Sequence, residues 1–349
     1  MKAGRLEIGG HAPVSVQSMT KTDTRDIGRT LRQIRRLVKA GCELVRIAVP
    51  DREAALALRT IISRVDIPIA ADIHFNPDLA LMAIDAGADK IRINPGNIRE
   101  KKKLSIVVRR AKEAGIPIRI GVNAGSLSRD MRKRFGGATP EAMVESALSH
   151  IQILESLDFH DIVVSLKASD IDRTVKAYQL LAKKAPYPLH IGITEAGGVP
   201  EGTVKSAIGI GLLLHHGLGN TVRVSLTGDP VEEVRVGYRI LKALGLRRIG
   251  PEIISCPTCG RCRIDLLPLL HRVEKEASAI DADLTIAVMG CEVNGPGEAK
   301  EADIGIAGTS KGAVIFKKGK ILRQVGRTNL AARFVDEIKK MAGKKRGLK

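Results

Sequence analysis

Tryptophan is absent from the 349 residues, and aromatic side chains make up only 2% of them. A protein that grips single-stranded nucleic acid needs stacking surfaces, and this chain has few. Cysteine is scarce and odd in number, at five. The N-terminal MKAGRLEIGG has no apolar core of the kind a secretory leader carries. Both features argue against a disulfide framework and for a reducing cytoplasm. No stretch approaches the roughly 18 consecutive apolar residues of a membrane-spanning helix. Acid is in deficit too: 38 Asp and Glu face 57 Lys and Arg, a formal net charge of +19. Such an excess calls for an anionic partner. Part of it reads as solvated surface, in the REKKKL run near Lys102 and as a frayed end in the tail KKMAGKKRGLK.

What is present is a repeat. From Val14 to Asp229, short β-branched runs alternate with longer stretches at helical spacing. The runs are VSVQSMT, ELVRIAV, IPIAADIHF, DKIRINPGN, IPIRIGVNAGS, DIVVSLKAS, PLHIGITEAG and TVRVSLTGD. Eight such strand–helix units predict an α/β chain built on a TIM (β/α)8 barrel over residues 1–250. An open doubly wound sheet would want a glycine-rich fingerprint after its first strand, and none is there. IGIGLLLHHGLG precedes a strand instead and reads as helix plus turn, with His215 and His216 a helix-end pair. Past Pro251 the pattern changes to a cysteine cluster, a helical LLPLLHRVEKEASAI, a strand-like LTIAVMGC, a glycine-rich loop, a hairpin-like GAVIFKKGKILRQV and a closing amphipathic helix. Residues 251–349 are expected to form a small separate α+β domain.

Strands of a parallel barrel are covered on both faces, so charge in mid-strand is out of place. Yet the runs contain Arg46, Asp72, Arg92, Arg119, Lys167, Glu195 and Arg223. Period-two spacing puts Asn94 on the face of Arg92, Asn123 on that of Arg119 and Ser225 on that of Arg223. Most lie toward the C-terminal ends of their strands, where barrel active sites form. Five cations against two acids cannot all be structural ion pairs, because a buried unpaired cation is costly. Guanidinium forks match phosphate oxygens. The barrel mouth is therefore expected to bind a small molecule with more than one phosphate.

Three cysteines, Cys256, Cys259 and Cys262, stand within ISCPTCGRCRIDL, and Cys291 lies in VMGCEVNGPGEA. In a reducing compartment such clusters hold metal or do redox work. The spacing suits zinc ribbons and iron–sulfur sites alike. Cys42, opening the second run, reads as a small core residue. A zinc-ribbon RNA-binding protein on a barrel scaffold would use the charge and the cysteines, but it leaves the mid-strand arginines unexplained. A sugar-phosphate enzyme with a structural zinc appendage is the other reading.

The motifs ISCPTCGR and VMGCEVNGPGEA, behind a barrel carrying RINPGN, GVNAGS, SLKAS, ITEAG and VRVSLTGDP, closely resemble the bacterial 4-hydroxy-3-methylbut-2-en-1-yl diphosphate synthases. The resemblance spans essentially the whole chain. It implies a [4Fe–4S] enzyme of the non-mevalonate isoprenoid pathway that reductively opens 2-C-methyl-D-erythritol 2,4-cyclodiphosphate, with single electrons delivered by flavodoxin or ferredoxin. By the same resemblance Cys256, Cys259, Cys291 and Glu298 hold the cluster. Arg46, Arg92, Arg119, Lys167 and Arg223 hold the diphosphate, helped by Asn94, Asn123 and Ser225. Asp72 and Glu195 face the carbon skeleton. Glu195 is the expected proton donor, because a carboxyl shielded inside the mouth can be protonated near neutral pH. Cys262 departs from that ligand pattern and reads as a spare thiol. Neither nucleic acid nor membrane is expected as a partner.

A last expectation concerns assembly. The helix after the eighth strand returns to the barrel's far face, and LRRIGPE is a short tether. The second domain thus starts on the wrong side for its own barrel mouth. A head-to-tail homodimer, in which each cluster domain caps the partner's barrel, solves this with one repeated contact, and the family resemblance implies the same.

Overall fold

The computed structural model describes residues 1–346 except Phe75, 95–97, Arg99, Glu100 and Asp281, and only the backbone of Lys101, Asn294, Pro296, Glu298 and 344–346. The chain forms two compact units, Met1–Arg247 and Arg248–Lys349.

The first unit opens with a short antiparallel pair, β1 (Lys2–Ala3) and β2 (Leu6–Glu7). Eight parallel strands follow: β3 (Ser15–Met19), β4 (Leu44–Ala48), β5 (Ile69–Asp72), β6 (Lys90–Ile93), β7 (Ile118–Asn123), β8 (Ile162–Lys167), β9 (His190–Ile191) and β10 (Thr221–Val222). Each falls within one of the eight runs read from the sequence. Their order is β8-β7-β6-β5-β4-β3-β10-β9, and a parallel bridge from Val164 to Leu189 nearly closes the ring. Helices follow β3 to β10 in turn, as a (β/α)8 barrel requires. Several are started by a capping side chain just before the first turn. Asp51 accepts the Ala54 N–H, Thr139 that of Ala142 and Asp170 that of Arg173, each cap contributing about 1 kcal/mol.

Alternation decides what faces where. Ile91 and Ile93 of β6 join the core under the helices, so Lys90 and Arg92 point into the barrel. A separate apolar cluster joins Ala3 and Ile8 of the N-terminal segment to Leu44, Ala70 and Val163. Those three stand two residues before Arg46, Asp72 and Ser165, so the cluster closes the barrel at the N-terminal ends of its strands. Nothing in the sequence reading anticipated this plug.

The second unit is a five-stranded sheet in the order β11 (Glu252–Ser255), β12 (Thr285–Met289), β13 (Ile304–Thr309), β14 (Gly312–Lys317) and β15 (Lys320–Val325). The first three are parallel and the last two form the expected hairpin. Ile286 and Val288 face a core shared with helices Leu266–Ala277 and Leu330–Arg346. Ala287 and Met289 face a smaller cluster with Phe316. The tail expected to fray stays helical to Arg346, because Phe334, Val335, Ile338 and Ala342 extend the buried stripe. Among the described residues no helix is long and apolar enough to cross a membrane.

Candidate functional sites: a cationic barrel mouth and a thiol pocket

In-register neighbours on parallel strands point the same way. Asp72 is opposite Arg92, Arg92 opposite Arg119, and Asn123 opposite Lys167. The result is a pocket of about 90 Å³ lined by Arg46, Asp72, His74, Arg92, Arg119, Gly121, Asn123, Ser165, Lys167, Thr194, Arg223 and Ser225. The barrel residues expected at the site are therefore together, apart from two. Asn94 is buried beside the pocket, where its Oδ1 accepts the Gly121 N–H at 3.1 Å. Glu195 is exposed and has a left-handed backbone, with φ 52°. The shielding assumed for its carboxyl is not supplied by this barrel, because its residue lies at the rim rather than inside.

The acids are arranged differently from the sequence reading. Asp72 lies 3.5 Å from Arg46 Nε and 3.3 Å from Arg92 Nη1. Burial alone would raise its pKa, but Arg46, His74, Arg92 and Arg119 hold it far below the usual carboxylate range. The second acid inside is Glu233 on helix Pro230–Ala243, not Glu195. Glu233 is 1% exposed, accepts from Ser18 Oγ at 3.0 Å and from the Leu226 N–H at 3.2 Å, and lies 3.5 Å from Arg223. Lys21 Nζ also reaches it at 3.1 Å. Helical periodicity concealed Glu233, since a Glu-Glu pair in a first turn usually reads as surface.

Two acids do not satisfy every cationic nitrogen inside: Arg92 and Arg223 are only partly engaged, and among the described residues Arg119, Lys167 and Lys90 form no salt bridge. Arg119 Nε and Nη1, Arg92 Nε, Arg223 Nε and Lys90 Nζ are buried without a hydrogen-bond partner among the described residues. Burial, followed by Arg46 and Arg92, presses against the charge on Arg119. Burial, followed by Arg119 and Arg223, does the same to Lys167. Gly121 makes the crowding possible, because a Cβ there would stand 2.8 Å from Arg92 Nε. Sequence reasoning missed His74, whose ring nitrogens lie 3.0 Å from Arg92 Nη1, and Thr194 and Ser165. It also missed Lys90, two residues before Arg92 and so on the same face.

Lys90 yields a measurable consequence. Burial, then Arg119 and Arg46, lower its pKa to about 7. Above that pH the folded protein has shed a proton that the unfolded chain keeps until about pH 10. Stability without ligand should therefore rise across this window, by up to about 1.4 kcal/mol per pH unit from this one group. Below the window Lys90 is charged in both states and adds no slope. Denaturant unfolding of Lys90→Met should lack the rise; an identical slope in both proteins would assign it elsewhere.

In the second unit, Cys256, Cys259, Cys262, Gly290 and Cys291 line a pocket of about 110 Å³ with Pro257, Thr258 and Arg261. Among the described residues no three His, Cys, Asp or Glu side chains converge as a single metal ion needs. The Gly290 N–H donates to Cys256 Sγ at 3.1 Å, as backbone amides do to cluster sulfurs. A Cβ on Gly290 would stand 2.7 Å from Cys262 Sγ and 3.4 Å from Cys256 Sγ, so the glycine keeps the cradle open. Cys262 Sγ donates to the Ile264 carbonyl at 3.2 Å. The backbone of Val293–Glu298 forms a π-helical turn beyond Cys291, and the side chain of Glu298 lies outside the described residues. Cys42 is buried in the barrel core, its thiol pushed up to about 12 by burial, as a packing role requires.

A model described as the GcpE TIM-barrel domain matches residues 1–238, and one described as the GcpE protein C-terminal domain matches residues 252–340. Relatives named 4-hydroxy-3-methylbut-2-en-1-yl diphosphate synthase (flavodoxin) align over nearly the whole length. That of Caldanaerobacter subterraneus subsp. tengcongensis is 57% identical over 98% of this chain and 96% of its own. That of Geobacter sulfurreducens is 55% identical over 99% of this chain and 98% of its own. That of Thermodesulfovibrio yellowstonii is 58% identical over 97% of both.

Proposed function

This chain belongs to the GcpE family, and from that premise we propose that it is an iron–sulfur oxidoreductase converting 2-C-methyl-D-erythritol 2,4-cyclodiphosphate into 4-hydroxy-3-methylbut-2-en-1-yl diphosphate. Two electrons and two protons enter, the ring C–O bond to phosphate opens, and one hydroxyl leaves as water. The observation that carries the substrate is the set of buried cationic nitrogens without a hydrogen-bond partner among the described residues, those of Arg119 foremost. A bound diphosphate supplies the missing charge.

The residues then take roles. Arg92, Arg119, Lys167, Arg223 and Arg46 bind the two phosphates, with Asn123 and Ser225 adding hydrogen bonds. Asp72 fixes Arg46 and Arg92, and Glu233 fixes Arg223, so the guanidinium groups are set before substrate arrives. Asn94 acts on the substrate indirectly by pinning the strand at Gly121. The carboxyl of Glu195 delivers the proton to the leaving hydroxyl. Cys256, Cys259, Cys291 and Glu298 are the residues that would hold a [4Fe–4S] cluster. Bound there, it supplies single electrons and a Lewis-acidic iron. The donor is flavodoxin, as in the relatives' names, or ferredoxin in its place, and the reaction runs in the cytoplasm.

Exposure of Glu195 in the single chain supports a shared site, because a proton donor needs a cover that the barrel alone lacks. We assign that cover to the cluster domain of a second copy in a head-to-tail homodimer. Anaerobic turnover of the cyclic diphosphate tests the reaction itself. The assembly is tested by co-expressing Cys256→Ser and Glu195→Gln chains with separable tags. An isolated mixed dimer should regain about half of wild-type turnover, since one of its two sites is intact. No turnover from a folded mixed dimer would mean that each chain completes its own site.

A further inference from the structure

Beside the thiol pocket lies a second, larger depression that the reaction does not use. It is a groove of about 670 Å³ whose lining includes Cys262, Arg263, Asp265, Arg272 and Arg327. Cys262 lines both depressions, so whatever fills the groove sits one side chain away from the thiol pocket. The three arginines are exposed, and among the described residues none of them forms a salt bridge. They come from three elements: the loop after the cysteines, helix Leu266–Ala277 and the approach to the last helix. Arg261, at the thiol pocket, adds a fourth exposed cation. Pro268, in the lining and on the helix that carries Arg272, is an exposed apolar side chain between them. A basic rim around an accessible apolar side chain, adjoining the redox-active thiols, is the pattern of an interface with an acidic protein.

We propose that this groove is the docking face of the electron donor, a small acidic carrier that gives up one electron at a time. The inference rests on the reading above that the chain takes electrons from such a protein. Charge complementarity selects the occupant: arginines outnumber the single carboxylate of Asp265. The position selects the purpose, since a docked carrier needs its redox centre near the thiols. Such steering shows mainly in association rate and in salt dependence.

The test uses anaerobically prepared holoenzyme with Arg263→Glu, Arg272→Glu and Arg327→Glu combined, and a milder Arg→Gln triple variant that guards against misfolding. Purified flavodoxin is the probe. Its Kd is read by calorimetry and its KM by turnover at low and high salt. Turnover driven by dithionite-reduced methyl viologen runs in parallel, because that cationic mediator needs no basic groove. The expected result is a Kd and KM for flavodoxin raised about tenfold or more at low salt, a flattened salt dependence, and unchanged viologen-driven turnover and iron content. The Gln variant should show a smaller shift in the same direction. An unchanged Kd in both variants overturns the proposal. So does a loss of dimer, or a loss of RNA binding with flavodoxin binding intact, since each gives the groove a different occupant. If wild type binds flavodoxin through these arginines yet never turns over the cyclic diphosphate with viologen, the docking face stands and the assigned reaction fails.

Discussion

Arg119→Met should weaken binding of the cyclic diphosphate by about 2–5 kcal/mol while leaving the unliganded protein as stable as before, or more stable. The two halves of this result have one cause. Arg119 is 3% exposed, and two of its nitrogens have no partner among the described residues. Its register neighbour is Arg92, and Lys90 and Arg46 also repel it. Without ligand, this guanidinium carries its desolvation cost with little in return, so an apolar replacement of similar length relieves the fold. With ligand, the same group meets a buried phosphate and the sign reverses. Arg119→Lys should bind poorly too, because one ammonium cannot form the fork. Calorimetric titration and urea unfolding on the same preparations read both halves. A variant that loses stability and affinity together would make Arg119 a structural residue.

The second large effect separates two cysteines six positions apart in sequence. Cys256→Ser should abolish turnover and empty the protein of its iron, whereas Cys262→Ser should keep about four irons and four sulfides per chain and most of the activity. Geometry distinguishes them. Cys256 Sγ accepts the Gly290 N–H, as cluster sulfurs accept from backbone amides. Cys262 Sγ is turned instead to the Ile264 carbonyl, at 3.2 Å. Iron and sulfide analysis after anaerobic purification decides the matter. Iron lost from the Cys262 variant and retained in the Cys256 variant would reverse the assignment, and stoichiometric zinc in wild type would remove the cluster altogether.

Much of this was legible because a barrel strand has so little tolerance for charge. Arg46, Arg92, Arg119, Lys167 and Arg223 were visible as exceptions to an apolar run, and the exceptions proved to line one pocket. The same logic failed where a residue broke no rule. Glu233 sits in a helix whose other face is solvated, so a glutamate there raises no alarm, although the fold buries it against Arg223. For Glu195 it was the burial that was misread, in the opposite sense. Its run looked like a strand, but β9 ends at Ile191, and by residue 195 the backbone has turned into a left-handed rim conformation. The plug made by Ala3 and Ile8 was hidden because two-residue strands have no periodicity to read. In the second unit the helices, β12 and the hairpin were legible, but β11 and β13 were not, because one runs into the cysteine loop and the other is interrupted by Gly305 and Gly308. Nor was the openness of the thiol cradle, because it depends on how closely Gly290 approaches two sulfurs that lie far from it in sequence.

The apolar stopper under the barrel also shapes the field above it. Ala3, Ile8, Leu44, Ala70 and Val163 seal the lower end, so neither water nor counter-ions can reach the interior cations from beneath. A vessel closed at one end by low-dielectric walls sends its field lines out through the other. The positive potential of the interior cations, Lys90, Arg92, Arg119 and Lys167 buried and Arg46 and Arg223 partly so, therefore emerges as a single beam at the mouth, and a diphosphate is drawn in along it before any contact forms. Capture should be fast in dilute buffer and slow in concentrated salt, while the escape rate of the bound anion, governed by desolvated contacts, should change little.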